Sequence, residues 1–140
     1  MTQIQKLTSG AVGGLAGGVA FGLLMGMMGM LPMVAKLVGS GSAVVGFGVH
    51  LVISAVIGAA YGLFVADRWA GLIGGAGYGL LWWFLGPLTL MPLFMGMGLG
   101  TNWTLAAAVK MLPSLMGHLV YGVILAATYH KVTAGCECSK

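Results

Sequence analysis

Charge is what this sequence lacks most. Only 6% of its 140 residues are charged, with two acids against six bases, while 59% are hydrophobic. A soluble globular domain carries about 25% charged residues. So few charges cannot cover the surface of a soluble globule, and the composition therefore predicts an integral membrane protein that has the lipid bilayer as its main partner.

Acids are especially scarce, and neither of them falls inside an apolar stretch. Asp67 follows one such stretch and Glu137 lies near the C-terminus, so buried acid/base pairs and carboxylate metal sites are excluded from the membrane interior. The sequence has no Gly-x-Ser-x-Gly, phosphate-binding loop or His-Glu-x-x-His motif either. We therefore expect no enzymatic activity. The bases are scattered singly, which excludes a nucleic-acid-binding patch.

Cysteine is limited to Cys136 and Cys138, which excludes a disulfide framework. Two thiols at this spacing could hold a soft metal or undergo thiol exchange. They could equally be incidental residues of a polar tail. Both interpretations stay open.

Four apolar stretches are long enough to cross a hydrocarbon core of about 30 Å at 1.5 Å per helical residue. They predict an all-α membrane protein, a four-helix bundle in one domain over 1–131 with a polar cytoplasmic tail over 132–140. The expected spans are about 10–31, 43–66, 69–97 and 111–129.

The connections and the bases predict the topology. The short charged turn Asp67-Arg68 predicts that spans two and three are tight antiparallel neighbours. Four bases fall on the side of the termini and two on the other, which favours a cell-membrane protein with both termini in the cytoplasm. The bases on the terminal side are Lys6, Arg68, Lys131 and Lys140, against Lys36 and Lys110.

Prolines interrupt the third span. Pro87 and Pro92 lie within its second half, and proline kinks a membrane helix without ending it where neighbours satisfy the freed carbonyl. We interpret this span as one kinked helix. A re-entrant segment over 88–99 is the alternative.

The two halves of the chain resemble each other in sequence, which indicates an internal duplication. His50 and His118 each begin an apolar stretch that ends on a tyrosine, Tyr61 or Tyr129, about three helical turns or 16 Å further on. The first and third spans share a glycine pattern at a constant offset. Two-span repeats enter the membrane in parallel, related by an axis along its normal, so both histidines are expected at one depth, facing each other or equivalent surroundings.

Glycines recur every four residues in the first and third spans. Small residues at this spacing let helix backbones approach closely in lipid, so we expect these stripes to pack helices inside the fold rather than between copies. The expected packing glycines are Gly14, Gly18, Gly22, Gly71, Gly75 and Gly79.

Histidines inside a membrane are candidate functional residues. His50 and His118 could bind one haem b or a metal ion between facing helices. The alternative is that each ring only hydrogen-bonds a neighbouring helix, with no cofactor.

Methionine is abundant, at 11 residues, and clusters on the histidine side of the membrane. Thioethers with imidazoles suit copper as Cu(I), which makes Met30, Met95 and Met116 candidate ligands. Methionine also fills gaps beside glycine as an adaptable packing residue.

With this repeat, the chain resembles a family of small, uncharacterised bacterial and archaeal four-helix membrane proteins. The motifs that carry the resemblance are the glycine-rich first span, Gly48-Val49-His50, Trp82-Trp83, and Gly117-His118 with its following residues. The resemblance implies a four-span fold and no particular activity.

Composition and motifs together favour a structural or accessory membrane protein, working as a homo-oligomer or with other subunits of a membrane complex. A haem- or copper-binding protein is the second hypothesis, and a small transporter acting as a dimer is the third.

Overall fold

A computed structural model describes residues 1–69 and 71–137 of the chain, with side chains up to residue 135. The structure assigns helices and no strands in these ranges, which confirms the all-α class. The helices are α1 Gln3–Met27, α2 Leu31–Ala35, α3 Ala43–Ala60, α4 Leu72–Leu85, α5 Met91–Phe94, α6 Leu105–Lys110 and α7 Leu112–Glu137. A 3₁₀ turn, Lys36–Val38, follows α2, and π-helical turns, Tyr61–Val65 and Gly86–Leu90, extend α3 and α4.

Among the described residues, four helical segments are long and apolar enough to cross a membrane, namely Gln3–Met27, Ala43–Val65, Leu72–Phe94 and Leu112–Gly135. The first begins earlier than the hydropathy predicts because Thr2 and Gln5 form a capping box at its start. The last runs on to Glu137, so most of the expected polar tail is helical. The chain thus has the build of a multi-pass membrane protein.

The third span continues through its prolines. α4 leads into the π-helical turn at Gly86–Leu90 and then directly into α5, so the kinked helix describes this segment and the re-entrant alternative does not. The Thr89 hydroxyl donates to the Phe84 carbonyl at 2.9 Å, which satisfies an oxygen close to the site where Pro87 cannot donate. Residues 88–94 therefore belong to the same span as α4.

Glycines let α1 occupy the centre of the bundle. On one side of α1, a Cβ at Gly14 would collide with the Ser54 carbonyl of α3, and its next contact would be Gly58 Cα at 2.9 Å. On another side, a Cβ at Gly17 would lie 2.7 Å from the Tyr121 carbonyl of α7. α1 therefore packs backbone to backbone against both α3 and α7.

α4 packs on α7 through a glycine surface of its own. A Cβ at Gly79 would collide with the His118 carbonyl, and one at Gly75 with the Gly122 carbonyl. The lateral order of the spans is therefore α3, α1, α7, α4. The expectation that spans two and three are tight neighbours is wrong, because α7 takes the glycine face of α4 and the α3–α4 connection runs from Ala66 to Gly71 rather than through a two-residue turn.

The termini and the α3–α4 connection share one end of the bundle. Lys6 of α1 forms an ion pair with Asp67, and the Gly71 amide donates to His130 Nε2 at 3.0 Å. These contacts place the start of α1, the start of α4 and the end of α7 together, as an even number of spans requires.

Candidate ligand-binding cleft

The two intramembrane histidines meet at one aromatic ring. Phe21 of α1 contacts His50 with ring centroids 5.2 Å apart and His118 with ring centroids 4.6 Å apart. Both imidazoles therefore lie at the level of Phe21 in the membrane. The phenyl ring contacts each of them, whereas their hydrogen bonds differ.

His50 joins α3 to the glycine stripe of α1. This residue is only 8% exposed, and its Nε2 lies 3.0 Å from the Gly18 carbonyl oxygen. The close fit depends on glycine, since a Cβ at Gly22 would lie 3.1 Å from His50 Cδ2. Because a carbonyl oxygen can only accept, Nε2 carries the proton and Nδ1 of the uncharged ring is bare.

His118 bonds within its own helix instead. Its Nδ1 lies 2.8 Å from the Ser114 carbonyl oxygen, one turn earlier in α7. The carbonyl again accepts, so Nδ1 is protonated and Nε2 is the bare nitrogen of the uncharged ring. That nitrogen faces α4, because a Cβ at Gly86 would lie 3.7 Å from it.

Both bare nitrogens are reachable rather than sealed in the core. Within the described residues, neither His50 Nδ1 nor His118 Nε2 has a hydrogen-bond partner, while the fully enclosed side-chain atoms without a partner are Tyr61 Oη and Trp82 Nε1. The two histidines thus leave two accessible acceptors inside an apolar part of the protein.

His50 and His118 border a cleft of about 490 Å³. The cleft opens between α3 and the α4–α5 segment, which make little direct contact, and α1 and α7 form its floor through Phe21 and Tyr121. Its lining is almost entirely apolar apart from the two histidines, their serines Ser54 and Ser114, and Asn102. Such a volume suits a small organic molecule.

Methionines gather in this cleft from four parts of the fold. Seven of the 11 methionines line it: Met25, Met30, Met33, Met91, Met95, Met97 and Met111. Flexible thioethers adapt to different shapes and make favourable contacts with aromatic rings. The methionines therefore make the lining adaptable, whereas the two histidines are held in place by their hydrogen bonds.

Two tyrosine hydroxyls connect the halves of the bundle across the base of the cleft. Tyr121 of α7 donates to the Ser54 carbonyl at 2.7 Å, and Tyr78 of α4 donates to the Ile57 carbonyl at 2.8 Å. The second bond spans the opening between α3 and α4. It closes the cleft towards the end that carries the termini.

Tyr61 and Tyr129 contact each other at that end. Tyr61 is fully buried, with its ring centroid 5.8 Å from that of Tyr129 and 5.2 Å from that of Tyr78. This aromatic cluster seals the bundle below the cleft.

The other residues selected from the sequence fall in different places. Met30 and Met95 line the cleft with both histidines, whereas Met116 is 69% exposed on the outer face of α7 and is not part of the lining. Cys136 lies in the last turns of α7, at the opposite end. Cys138 lies outside the described residues.

The geometry sets a different requirement for haem and for a soft metal. Phe21 contacts both imidazoles, so one haem iron held by both rings would require this side chain to move. Within the described residues, histidine, cysteine and acidic side chains form no group of three that could hold a metal ion. A soft metal would therefore need the methionines as well.

Gly71 also differs from the other glycines of its stripe. It precedes the first residue of α4 with φ +91°, and a Cβ there would meet no atom within 4 Å. This glycine provides the left-handed backbone conformation that starts the helix, rather than a helix–helix contact.

Phe21, Ser114 and Tyr121 are site residues that the sequence patterns did not select. Ser114 lies one helical turn from His118, so helical spacing alone could have paired them. Phe21 and Tyr121 carry no such signal, because their roles depend on which helices become neighbours.

Comparison with known proteins adds no relative: no family model, no curated protein and no solved structure matches this chain. The resemblance to small four-helix membrane proteins therefore stays a prediction.

Proposed function

We propose that this chain is an accessory protein of the cell membrane, without catalytic activity, that holds a lipid-soluble molecule in the cleft between α3 and α4. It works as a homo-oligomer or as a subunit of a larger membrane assembly, with both termini in the cytoplasm. The observation that carries the proposal is the 490 Å³ cleft with two imidazole side chains in its lining.

The shape and chemistry of the cleft support binding. Ligand sites are concave, mostly apolar, and marked by a few converging polar groups, and His50 and His118 are those groups here. Because the opening lies between two membrane-spanning segments, a ligand dissolved in the hydrocarbon layer would enter sideways without passing through water.

The orientation follows from the bases and the repeat. Lys6, Arg68 and Lys131 lie at the end of the bundle that carries the termini, and excess basic residues mark the cytoplasmic side. A parallel two-helix repeat packed by GxxxG-type contacts accounts for the matching α1–α3 and α4–α7 pairs. The methionine-rich cleft then lies in the outer half of the membrane.

A cleft-filling variant tests the proposal. Ile53 lines the cleft and is already 38% exposed, so Ile53→Trp would occupy the space without disturbing a packed interface. Small molecules that stay bound to the protein purified in lipid nanodiscs are extracted and identified by mass spectrometry. We expect a molecule on the unmodified protein that is lost from Ile53→Trp and retained by Val56→Trp, on the outer face of the same helix. Identical extracts from all three proteins would contradict the proposal.

A soft metal ion is the second candidate for the same cleft. Histidines that bind a metal usually donate their other N–H to a carbonyl, which orients the ring, and both histidines have this arrangement. Thioethers and imidazoles together select Cu(I).

Anaerobic competition between the protein and a Cu(I) chelator tests the metal. Binding of one Cu(I) per chain that is lost in His118→Phe, and unchanged in the exposed Met116→Leu variant, would favour this candidate. A chelator that keeps all of the metal would exclude it.

A further inference from the structure

We infer that the ligand of the cleft is a lipid-soluble phenol or quinol whose hydroxyl donates a hydrogen bond to His118 Nε2. This inference rests on the proposed binding function and names the chemical class that the site would select. Three features of the cleft carry it: the fixed tautomer of His118, the absence of a described partner for Nε2, and the lining of aromatic and thioether groups.

The protonation of His118 determines what the site can bind. Its Nδ1–H is committed to the Ser114 carbonyl at 2.8 Å, so Nε2 of the uncharged ring is an acceptor only. An uncharged ring is also the form that costs less to place in an apolar cleft. The complementary group on a ligand is therefore a donor such as a hydroxyl, rather than a carbonyl or an ether oxygen.

An accessible acceptor without a partner is costly in this location. Nε2 faces Gly86 across the cleft, where a side chain would reach to within 3.7 Å, and glycine leaves that space open. Hydrocarbon chains of lipids offer no donor, and an unsatisfied polar group in apolar surroundings loses the free energy of a hydrogen bond. A hydroxyl brought by a ligand would recover it.

The walls of the cleft favour a planar ring beside that hydroxyl. Trp82 and Phe21 present aromatic surfaces, and Met25 and Met91 bring thioethers to the same space. Sulfur–aromatic and aromatic–aromatic contacts both stabilise a bound ring. A ring with a hydroxyl attached to it can pack against these side chains and donate a hydrogen bond to the histidine at the same time.

His50 supports the same selection from the other side of Phe21. Its Nε2–H is committed to the Gly18 carbonyl at 3.0 Å, which leaves Nδ1 as a second acceptor. The complementary group for this nitrogen is again a hydroxyl donor. We take His118 as the residue to test, because His50 also holds α3 against α1.

A matched pair of probes tests the hydroxyl. 4-Nonylphenol and 4-nonylanisole share ring and chain, and only the phenol can donate. Their dissociation constants are measured by native mass spectrometry with the protein in phosphatidylcholine nanodiscs. We expect the phenol to bind at least about tenfold more tightly than the ether, since one recovered hydrogen bond is worth about that factor.

Three variants make the result specific. His118→Phe keeps an aromatic ring beside Phe21 and removes the acceptor, so the preference for the phenol should fall to near unity while ether binding stays. Gly86→Ala places a methyl group 3.7 Å from Nε2 without altering α7, and should reduce the preference even if His118→Phe folds poorly. Ile53→Trp should weaken both probes.

The outcomes separate the inference from the proposed function. Equal binding of phenol and ether to the unmodified protein, with both weakened by Ile53→Trp, would overturn the hydroxyl inference and leave a binding cleft. A preference that survives in both His118→Phe and Gly86→Ala would also overturn it. Probe binding that Ile53→Trp does not change would overturn the inference and the proposed function together.

Discussion

The two sides of α3 differ in how they meet their neighbours. Towards α1, small residues of both helices bring the backbones into contact, and a Cβ at Gly58 would lie 2.6 Å from Gly14 Cα. Towards α4, the same helix lines an open cleft and makes one hydrogen bond, from Tyr78 to the Ile57 carbonyl, among the described residues. In lipid, close packing requires small residues on both partners, and α4 has already placed its own against α7.

The largest effect is expected at the closed side of α3. Gly58→Ala should lower the free energy of unfolding by about 2–3 kcal/mol, because the new methyl meets the backbone of α1, which cannot move aside. Gly48→Ala, on the same helix with no atom within 4 Å, should stabilise by about 0.5–1 kcal/mol through helix propensity. Unfolding by titration with sodium dodecyl sulfate in micelles gives both values. Equal effects at the two positions would refute a backbone contact at Gly58.

The α4–α7 contact should give the same contrast on a smaller scale. Gly79→Ala should cost about 1–2 kcal/mol, because its Cβ would meet the His118 carbonyl while α4, at the edge of the bundle, can shift outward. Gly77→Ala, whose nearest neighbour would be Trp69 at 3.7 Å, serves as the matched control. The same titration applies, and a more costly Gly77→Ala would contradict the assignment of the packed face.

Sequence patterns predicted the closed contacts better than the open one. The glycine stripes of α1 and α4 reflect a requirement that each helix meets locally, so Gly14, Gly18 and Gly79 could be selected from spacing. The lateral order of helices is a tertiary property. It depends on a second glycine face of α1, at Gly13 and Gly17, which receives α7 and separates α3 from α4.

The candidate site likewise has residues that sequence patterns could predict and contacts that they could not. His50 and His118 could be selected because a titratable side chain is rare inside an apolar span, and the repeat predicted a shared depth. The contact of both rings with Phe21 depends on which helix lies between α3 and α7. No spacing rule provides this information, and the cleft could not be predicted for the same reason.

Hydroxyl groups across the cleft should contribute less than the glycine contacts. Tyr78→Phe and Tyr121→Phe each remove a hydrogen bond to a carbonyl of α3 and should lower the free energy of unfolding by about 1 kcal/mol. Tyr61→Phe is the control, since the Tyr61 hydroxyl is buried with no partner among the described residues and its removal should be neutral or stabilising. A loss in Tyr61→Phe as large as in the other two would contradict these assignments.

The smallest effect is expected at the open side of α3. Ile53→Trp should change the free energy of unfolding by no more than about 0.5 kcal/mol, because the indole enters unoccupied space instead of a packed interface. The detergent titration that measures Gly58→Ala provides a direct comparison. A cost similar to that of Gly58→Ala would show that both sides of α3 are closed.

The separation of α3 and α4 in a bilayer shows most directly whether a cleft lies between them. Nitroxide labels at Val56 and Leu80, which are 65% and 47% exposed, report this separation by double electron–electron resonance in a variant whose native cysteines are replaced by serine. The measurement is made with and without Ile53→Trp. We expect the same distance distribution in both, because the cleft accommodates the indole. A shift to longer distances on introducing the tryptophan would show that the two helices pack against each other and that the cleft does not exist.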